Sequence, residues 1–534
     1  MIVHVSAVDT PNNYAESMPF NVAGYKQTNQ QSTQQIINNM NKMLVSLLPN
    51  IKPLNCLEYA KDIIGDYCLS ARDKANYREM QAIFAKYMIN DLCKTYKLAQ
   101  KAFVNDKSDR VVYIYNGKYW SQLNKSDLMQ FIKYVLSSST HKEIMYNNSK
   151  FSNGVLNELY YYMPDMPSKD LDKELLNLAN GTLHFNDGKA TLMAHDSNDG
   201  LDYCLDYNYN PDAPIPDVFA NFMSKITMQS QSIAAILQEA AASALCHMTL
   251  EKIVILVGSG SNGKSVWLKI VQAIYGEKNI SNMTLKDLTS GDKAMNNRSQ
   301  LVYKKLNIAT EMNSKGIQDH AMIKTLASRE PVSVKLLYAD TFTTDRYARL
   351  IFACNGLPHD VEHNHGFFRR FLLIPFNCNI PDHEQDTDLL NKIITPSNKS
   401  GILNWLIAGY IRLCQQRRFS QCKECDQALE EHMQDVDSVA GFMKDECYVP
   451  DQYSQGNEFG LLYLDYLRYV EDCCYRPVSK KEFGKRLRSK GFTVKKANQG
   501  KTYVYCSKQD APSEITSTST ANENVVNSDD YIPF

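Results

Sequence analysis

Five consecutive apolar residues, Ile253 to Val257, stand out from a chain whose hydrophobic positions otherwise recur mainly at helical or alternating spacing. A run this short, closed by Gly258, reads as a strand buried on both faces. The positions beyond the next loop, Val266, Leu268, Ile270, Val271 and Ile274, have helical spacing and stop at Gly276, a common helix terminator. Two more buried-strand patterns follow, 306–310 ending at Glu311 and 350–354 ending at Asn355. Strands alternating with helices from about 251 to 415 predict an α/β core built on a parallel sheet.

The flanking patterns divide the rest. Residues 1–35 are rich in Asn, Gln, Ser and Thr and read as a flexible lead-in. Ile36, Ile37, Met40, Met43, Leu44 and Leu47 begin a helical pattern to about residue 105, so 1–105 is a lead-in plus helical adaptor. Residues 106–215 read as α+β. Val111 to Tyr115 and Lys118 to Trp120 flank an Asn116-Gly117 turn, and 175–185 reads as strand, turn, strand. Helices from 216 to 250 run into the core, giving a 216–415 unit. In 416–510, a helix over 459–474 precedes a second one opened by a Ser479 to Glu482 capping box, with Phe483 and Leu487 on one face and Gly491 as its stop. Two short strands, 492–496 and 502–506, complete a winged-helix pattern. After Lys508 there is no Lys or Arg, and 511–534 reads as a disordered acidic tail.

Composition alters this picture little. The 534 residues are 44% hydrophobic and 22% charged with a net charge of −1, so overall charge selects no partner. Fourteen scattered cysteines fit a reducing compartment. The N-terminus lacks a signal-peptide pattern, and no apolar run reaches membrane-helix length. These features predict a soluble cytoplasmic protein with no membrane partner. Asp170, Asp172, Asp202 and Asp206 read as loop carboxylates, and Cys422 and Cys425 as helix residues, rather than metal ligands. Local charge says more: from Arg476 to Lys501 there are ten Lys/Arg against one acid, Glu482. This density predicts a DNA-backbone surface built from Lys480, Lys481, Lys485, Arg486, Arg488, Lys495 and Lys496.

The chemistry sits between the first strand and its helix. Gly258, Ser259, Gly260, Ser261, Asn262, Gly263, Lys264 and Ser265 form a GxxxxGKS string in strand–loop–helix context, where backbone N–H groups and a helix N-terminus cradle phosphates. Lys264 is placed to reach the β- and γ-phosphates of ATP, and the Ser265 hydroxyl to coordinate Mg²⁺. Glu311, at a strand end, suits the metal and the attacking water. Asn355 suits holding that water, and Arg369 or Arg370 suits neutralising the transferring phosphoryl group from a neighbouring subunit.

Together these motifs, with the segment from Lys335 through Tyr338 to Phe342, Gly356-Leu357-Pro358, residues 368–376, Asn180-Gly181 and residues 209–213, resemble a superfamily 3 helicase of the poxvirus and phage/plasmid primase-helicase type. The resemblance covers about 106–510. It implies a compact AAA+-like ATPase that forms a hexamer and moves along single-stranded DNA, with Lys335, Tyr338 and Phe342 on a hairpin lining the pore. Ser328-Arg329-Glu330 and Lys335 depart from the family pattern, and the N-terminal region offers no room for a primase domain. The terminal Asp529-Asp530-Tyr531-Ile532-Pro533-Phe534 resembles the acidic terminus of bacterial single-stranded DNA-binding proteins, which implies docking of host replication proteins. The expectation is an ATP-driven replicative helicase of phage or plasmid type, working on single-stranded and forked DNA in a bacterial cytoplasm. The alternative is an ATP-switched initiator that binds an origin without translocating.

Overall fold

The computed structural model describes residues 77–92, 97–103, 106–137, 149–291, 293–310, 319–335, 341–355, 368–435, 437–473, 477–497 and 500–509. The chain is mixed α/β. In the N-terminal part, helix α1 (Tyr77–Tyr87) leads into an antiparallel sheet of β1 (Leu98–Phe103), β2 (Asp106–Tyr115) and β3 (Trp120–Leu123), covered by α2 (Lys125–Ser137) and α3 (Ser149–Tyr162). Met80, Phe84, Ile114, Phe131, Phe151 and Leu159 share one core there.

Two expectations change in this region. The helical reading of 36–105 fails at its end, because 98–103 is a strand paired with β2; residues 36–76 lie outside the described residues. Leu98, Ala99 and Gln100 are all buried, leaving no alternation to reveal the strand. The turn after Tyr115 is longer than Asn-Gly, since Tyr115 pairs with Trp120. The Asn116 side chain accepts from the N–H groups of Lys118 and Tyr119 and closes a four-residue loop.

Beyond it, β4 (Glu174–Leu178), β5 (Gly181–Asn186) and β6 (Lys189–Met193) form a second antiparallel sheet. Its Leu176, Leu178 and Leu183 join the main core rather than the N-terminal one, so the buried residues of 106–215 divide between two cores. Helices α4 (Asp217–Ile226) and α5 (Gln231–Ala242) then lead into the parallel sheet: β7 (Ile253–Val257), α6 (Lys264–Tyr275), β8 (Ile280–Ser281), β9 (Leu306–Ala309), α7 (His320–Ser328), the hairpin β10 (Val332–Lys335) and β11 (Thr341–Thr344), β12 (Arg349–Cys354) and β13 (Phe371–Pro375). The sheet order is β13-β7-β12-β9-β8, and every neighbouring pair is parallel.

Alternation along these strands feeds two cores. Val254, Leu256, Ile308, Ile351 and Ile374 face α5, α6 and α8 (Pro396–Gln416), whereas Ile253, Ile255, Phe352 and Leu373 face α7 and the hairpin. Helix α8 locks the upstream segment in place. Asn404 donates to the carbonyls of Asn210, Pro211 and Ala213, while Asn180 exchanges hydrogen bonds with Tyr209. The Asn180-Gly181 turn and the 209–213 stretch thus meet in space.

The C-terminal part follows α9 (Lys423–Asp435): α10 (Ser438–Asp445), β14 (Tyr448–Pro450), β15 (Asn457–Glu458), α11 (Phe459–Asp472), α12 (Lys480–Ser489), β16 (Thr493–Lys496) and β17 (Thr502–Lys508). Strand β17 pairs with each of the other three, and Phe442, Tyr466, Phe483 and Val504 fill the core. Ser479 caps α12 through the Glu482 N–H. Among the described residues, no helix is long and apolar enough to cross a membrane, and no cluster of His, Cys, Asp and Glu is arranged to hold a metal.

One ionic cluster ties the second sheet to the parallel one. The Glu174 carboxylate is hydrogen-bonded to Lys305 and lies 3.4 Å from His247. Burial pushes its pKa up, but Lys305, His247 and Arg329 outweigh burial and hold it below the ordinary 4.5. Its stabilising contribution is therefore complete above pH 4.5 and is lost as pH falls through the depressed value. Urea titrations from pH 6 to 3 are expected to show the stability gap between wild type and Glu174→Gln shrinking below that point. A second expectation concerns Gly401, where a Cβ would collide with the Pro214 carbonyl oxygen. Gly401→Ala is expected to lower the urea midpoint at unchanged m, costing about 1–3 kcal/mol.

Candidate functional site

A cavity of about 770 Å³ opens at the carboxyl ends of β7 and β12, the place where open parallel sheets bind ligands. Its floor is the glycine-rich loop between β7 and α6. Gly260 and Gly263 have φ of 112° and 84°, and Ser261 follows at 45°, so the loop turns through conformations that favour glycine. Gly263 is also required by packing, since a Cβ there would sit 2.5 Å from Ile226 Cγ2 on α4. Gly258 lies against the Phe376 carbonyl oxygen, 2.6 Å from where a Cβ would be.

The loop is stitched down on both sides. The Asn262 amide donates to the Phe376 carbonyl at 3.1 Å, Ile380 N–H donates to Ser261 O at 2.9 Å, and Gly258 N–H donates to Cys354 O at 3.3 Å. The Lys264 ammonium, at the first residue of α6, donates to Gly258 O at 2.6 Å and Asn262 Oδ1 at 3.1 Å. Burial pushes its pKa down, with the neighbouring Cys354 working the other way. Ser265 is exposed and lines the cavity with Gly260, Ser261, Asn262, Gly263 and Lys264. The arrangement offers a fixed cation, a free hydroxyl and the N-terminus of a twelve-residue helix to an anion.

The other expected residues separate into groups. Asn355, at the end of β12, lines the same cavity, as does Thr310 after β9; Glu311 lies outside the described residues. The arginines stand elsewhere. Phe371 pairs with Ile253 in parallel register, which puts Arg370 at the amino end of the strand, about 17 Å from the loop at 3.3 Å per residue. Arg370 is ion-paired to Glu251 at 2.5 Å, and Arg369 is exposed. Within one chain, neither arginine is brought to the loop.

Sequence reasoning missed the facing wall: Val218, Asn221, Phe222 and Lys225 of α4, with Ile380, Leu389 and residues 384–387. An ion pair of 2.7 Å between Lys225 and Glu384 joins the two segments. In the sequence, Phe222 belongs to an ordinary amphipathic face, and the 380–389 stretch has no periodicity to read.

Among the residues expected to meet DNA, Lys335 is exposed at the end of β10 opposite Thr341, and Phe342 packs half-buried against the core. Tyr338 lies outside the described residues. Lys480, Lys481, Lys485, Arg488, Lys495 and Lys496 are exposed on α12 and β16. Lys480 lies over the rings of Phe459 and Tyr463, and Lys495 over Tyr505. Arg486 instead turns inward to pair with Asp437, the N-cap of α10, and with Glu482. Its period along α12 puts it between the exposed and buried faces, which charge counting cannot resolve. Asp529, Asp530, Ile532, Pro533 and Phe534 lie outside the described residues.

Gly263→Ala tests the loop directly. It combines a φ of 84° with the Ile226 contact, and is expected to weaken binding of a fluorescent ATP analogue at least about tenfold while leaving the thermal midpoint within a few degrees.

Residues 81–228 match a family described as D5 N terminal like, and residues 256–370 match a family of unknown function (DUF5906). Among curated proteins the chain is similar to "Putative helicase L207/L206" of Acanthamoeba polyphaga mimivirus, 24% identical over 262 residues. That alignment takes in 47% of this chain but only 27% of the relative's length. Among solved structures, the apo C-terminal region of NrS-1 aligns over 79% of this chain and 98% of its own, with a TM-score of 0.42 and 13% identity. A second apo structure of that region gives the same TM-score over 80% of this chain.

Proposed function

We propose that this protein is an ATP-driven DNA helicase of a replication system, working as a ring of identical subunits. The observation that carries the reading is the meeting, in one cavity, of the Gly260–Ser265 segment, the Lys264 ammonium and Asn355 at the ends of adjacent parallel strands. The cavity's volume suits a nucleoside triphosphate. The phosphates would lie over the loop N–H groups and Lys264, and the Ser265 hydroxyl would hold Mg²⁺, which supplies charge neutralisation at the β- and γ-oxygens. Asn355 would orient the attacking water, together with Glu311. The arginines at the opposite end of the sheet suit a role across a subunit boundary, with Arg369 the exposed one. The D5 N terminal like match and the similarity to a viral protein named as a helicase support DNA unwinding as the use of the ATP energy.

The β10–β11 hairpin, with Lys335 exposed on it, fits a strand-gripping element, and the basic face of α12 and β16 fits a winged-helix contact with the DNA backbone. That basic face is also what favours the second reading, an initiator that binds an origin without translocating.

Hydrolysis with and without single-stranded DNA tests both. The expected result is DNA-stimulated hydrolysis that falls at least about 10²-fold in Lys264→Ala, with partial recovery when Lys264→Ala and Arg369→Ala subunits are mixed. Hydrolysis indifferent to single-stranded DNA would overturn the motor in favour of the initiator. Lys335→Ala is expected to abolish unwinding and spare double-stranded DNA binding.

A further inference from the structure

A second, narrower cavity of about 70 Å³ lies on the side of the molecule away from the loop, where the amino ends of β9 and β12 meet β4 and the segment 199–203. Six cations line it (Lys169, Lys173, Lys304, Lys305, Arg329 and Arg346) against three acids, Asp170, Glu174 and Asp199. Its size admits a phosphate group rather than a nucleotide.

The balance of partners is uneven. Lys305 is committed to Glu174, Lys169 to Asp202 at 2.7 Å, and Arg346 to Asp172 at 2.9 Å. Lys173 pairs only loosely with Asp170, at 3.8 Å, and both are half exposed. Lys304 gives its hydrogen bond to a neutral acceptor, the Lys278 carbonyl. Arg329 likewise donates to the carbonyls of Tyr347 and Cys246, and its buried Nε has no partner among the described residues. His247 Nε2 on the same wall is buried and unpartnered as well. Asp199 Oδ2 is a buried, unpartnered group of opposite sign. Burial pushes the pKa of Lys304 down and Lys169 and Lys278 crowd it further, with Asp202 offsetting them in part. A bound anion would relieve this crowding.

The place of the cavity in the fold gives it meaning. Arg329, the C-cap of α7, lies two residues short of the β10–β11 hairpin, and Arg346 follows it after Asp345. The cavity is therefore the foot of the element whose far end carries Lys335. At its rim Tyr303 is 38% exposed, an aromatic face open for stacking.

We propose that this pocket binds a backbone phosphate of a nucleic-acid strand, single-stranded DNA on the reading given above, with a base stacked on Tyr303. The residues that hold it are Lys173, Lys304 and Arg329.

The test uses the full-length protein with a non-hydrolysable ATP analogue and a labelled oligothymidylate, followed by anisotropy across a salt series. Lys304→Glu is expected to weaken strand binding about tenfold and to reduce the salt slope by about 0.7, the value for one phosphate contact on a single strand. Lys304→Arg keeps both. Lys173→Glu, at a half-exposed side chain, gives the same loss without touching a buried contact. Tyr303→Ala weakens binding about five- to tenfold with the slope unchanged. Analogue binding and the thermal midpoint stay at wild-type values in all four. Wild-type affinity and slope in both Lys→Glu variants would overturn the proposal. So would protection of Lys304 from acylation by inorganic phosphate or ATP but not by the oligonucleotide, which would make the pocket a small-anion site. DNA-stimulated hydrolysis with unaffected variants sinks this inference alone. Lys304-dependent strand binding without DNA-stimulated hydrolysis sinks the motor reading alone.

Discussion

Burial of the parallel sheet on both faces is the constraint on which the rest of this molecule depends. A strand with apolar side chains on both sides needs a layer of structure on each, and the chain supplies two separate cores. One is made by α5, α6, α8 and the β4–β6 sheet, the other by α7 and the foot of the β10–β11 hairpin. The first fixes the helix into which the glycine-rich loop runs. The second fixes the hairpin. Because the same strands hold both layers, α6 and the hairpin are mounted on opposite faces of one close-packed support.

Much of this could be read directly from residue order. The run 253–257 has no polar residue to hide its nature, and its helix ends on glycine as spacing requires. Much the same holds for 350–354, uniformly apolar, and for 306–309, interrupted only by Asn307. Sequence failed where burial was decided by distant partners. Strand β1 is buried along Leu98, Ala99 and Gln100 because β2 and the Met163 carbonyl reach it, and neither fact leaves a period in the sequence. The cavity-lining wall of α4 failed to announce itself for a related reason. Phe222 serves the core and the loop at once, so its pattern is that of any packed helix. Arg486 shows the converse error, in which a count of charges assigned outward a side chain that an N-cap aspartate holds inward.

The Glu174 cluster adds an ionic tie to the apolar surface that the β4–β6 sheet already shares with the main core. Lys305 before β9, His247 after α5 and Arg346 after β11 all converge on β4 or its leading turn. Ion pairs depend sharply on distance and on exclusion of water. A junction made this way holds one geometry firmly and gives way once water enters it. Apolar contacts would slide more gradually.

The parallel register of β13 and β7 has a consequence for symmetry. Phe371 opposite Ile253 and Pro375 opposite Val257 leave the paired arginines at one end of the strands and the glycine-rich loop at the other. Any contact that brings one copy's arginine to another copy's loop joins unlike surfaces. Across a two-fold axis such a contact is met twice only if the two copies run antiparallel, each arginine end beside the other's loop; joined in the same sense, every copy still has one arginine and one loop to offer. Repeated, it either closes into a cycle or runs on as a filament.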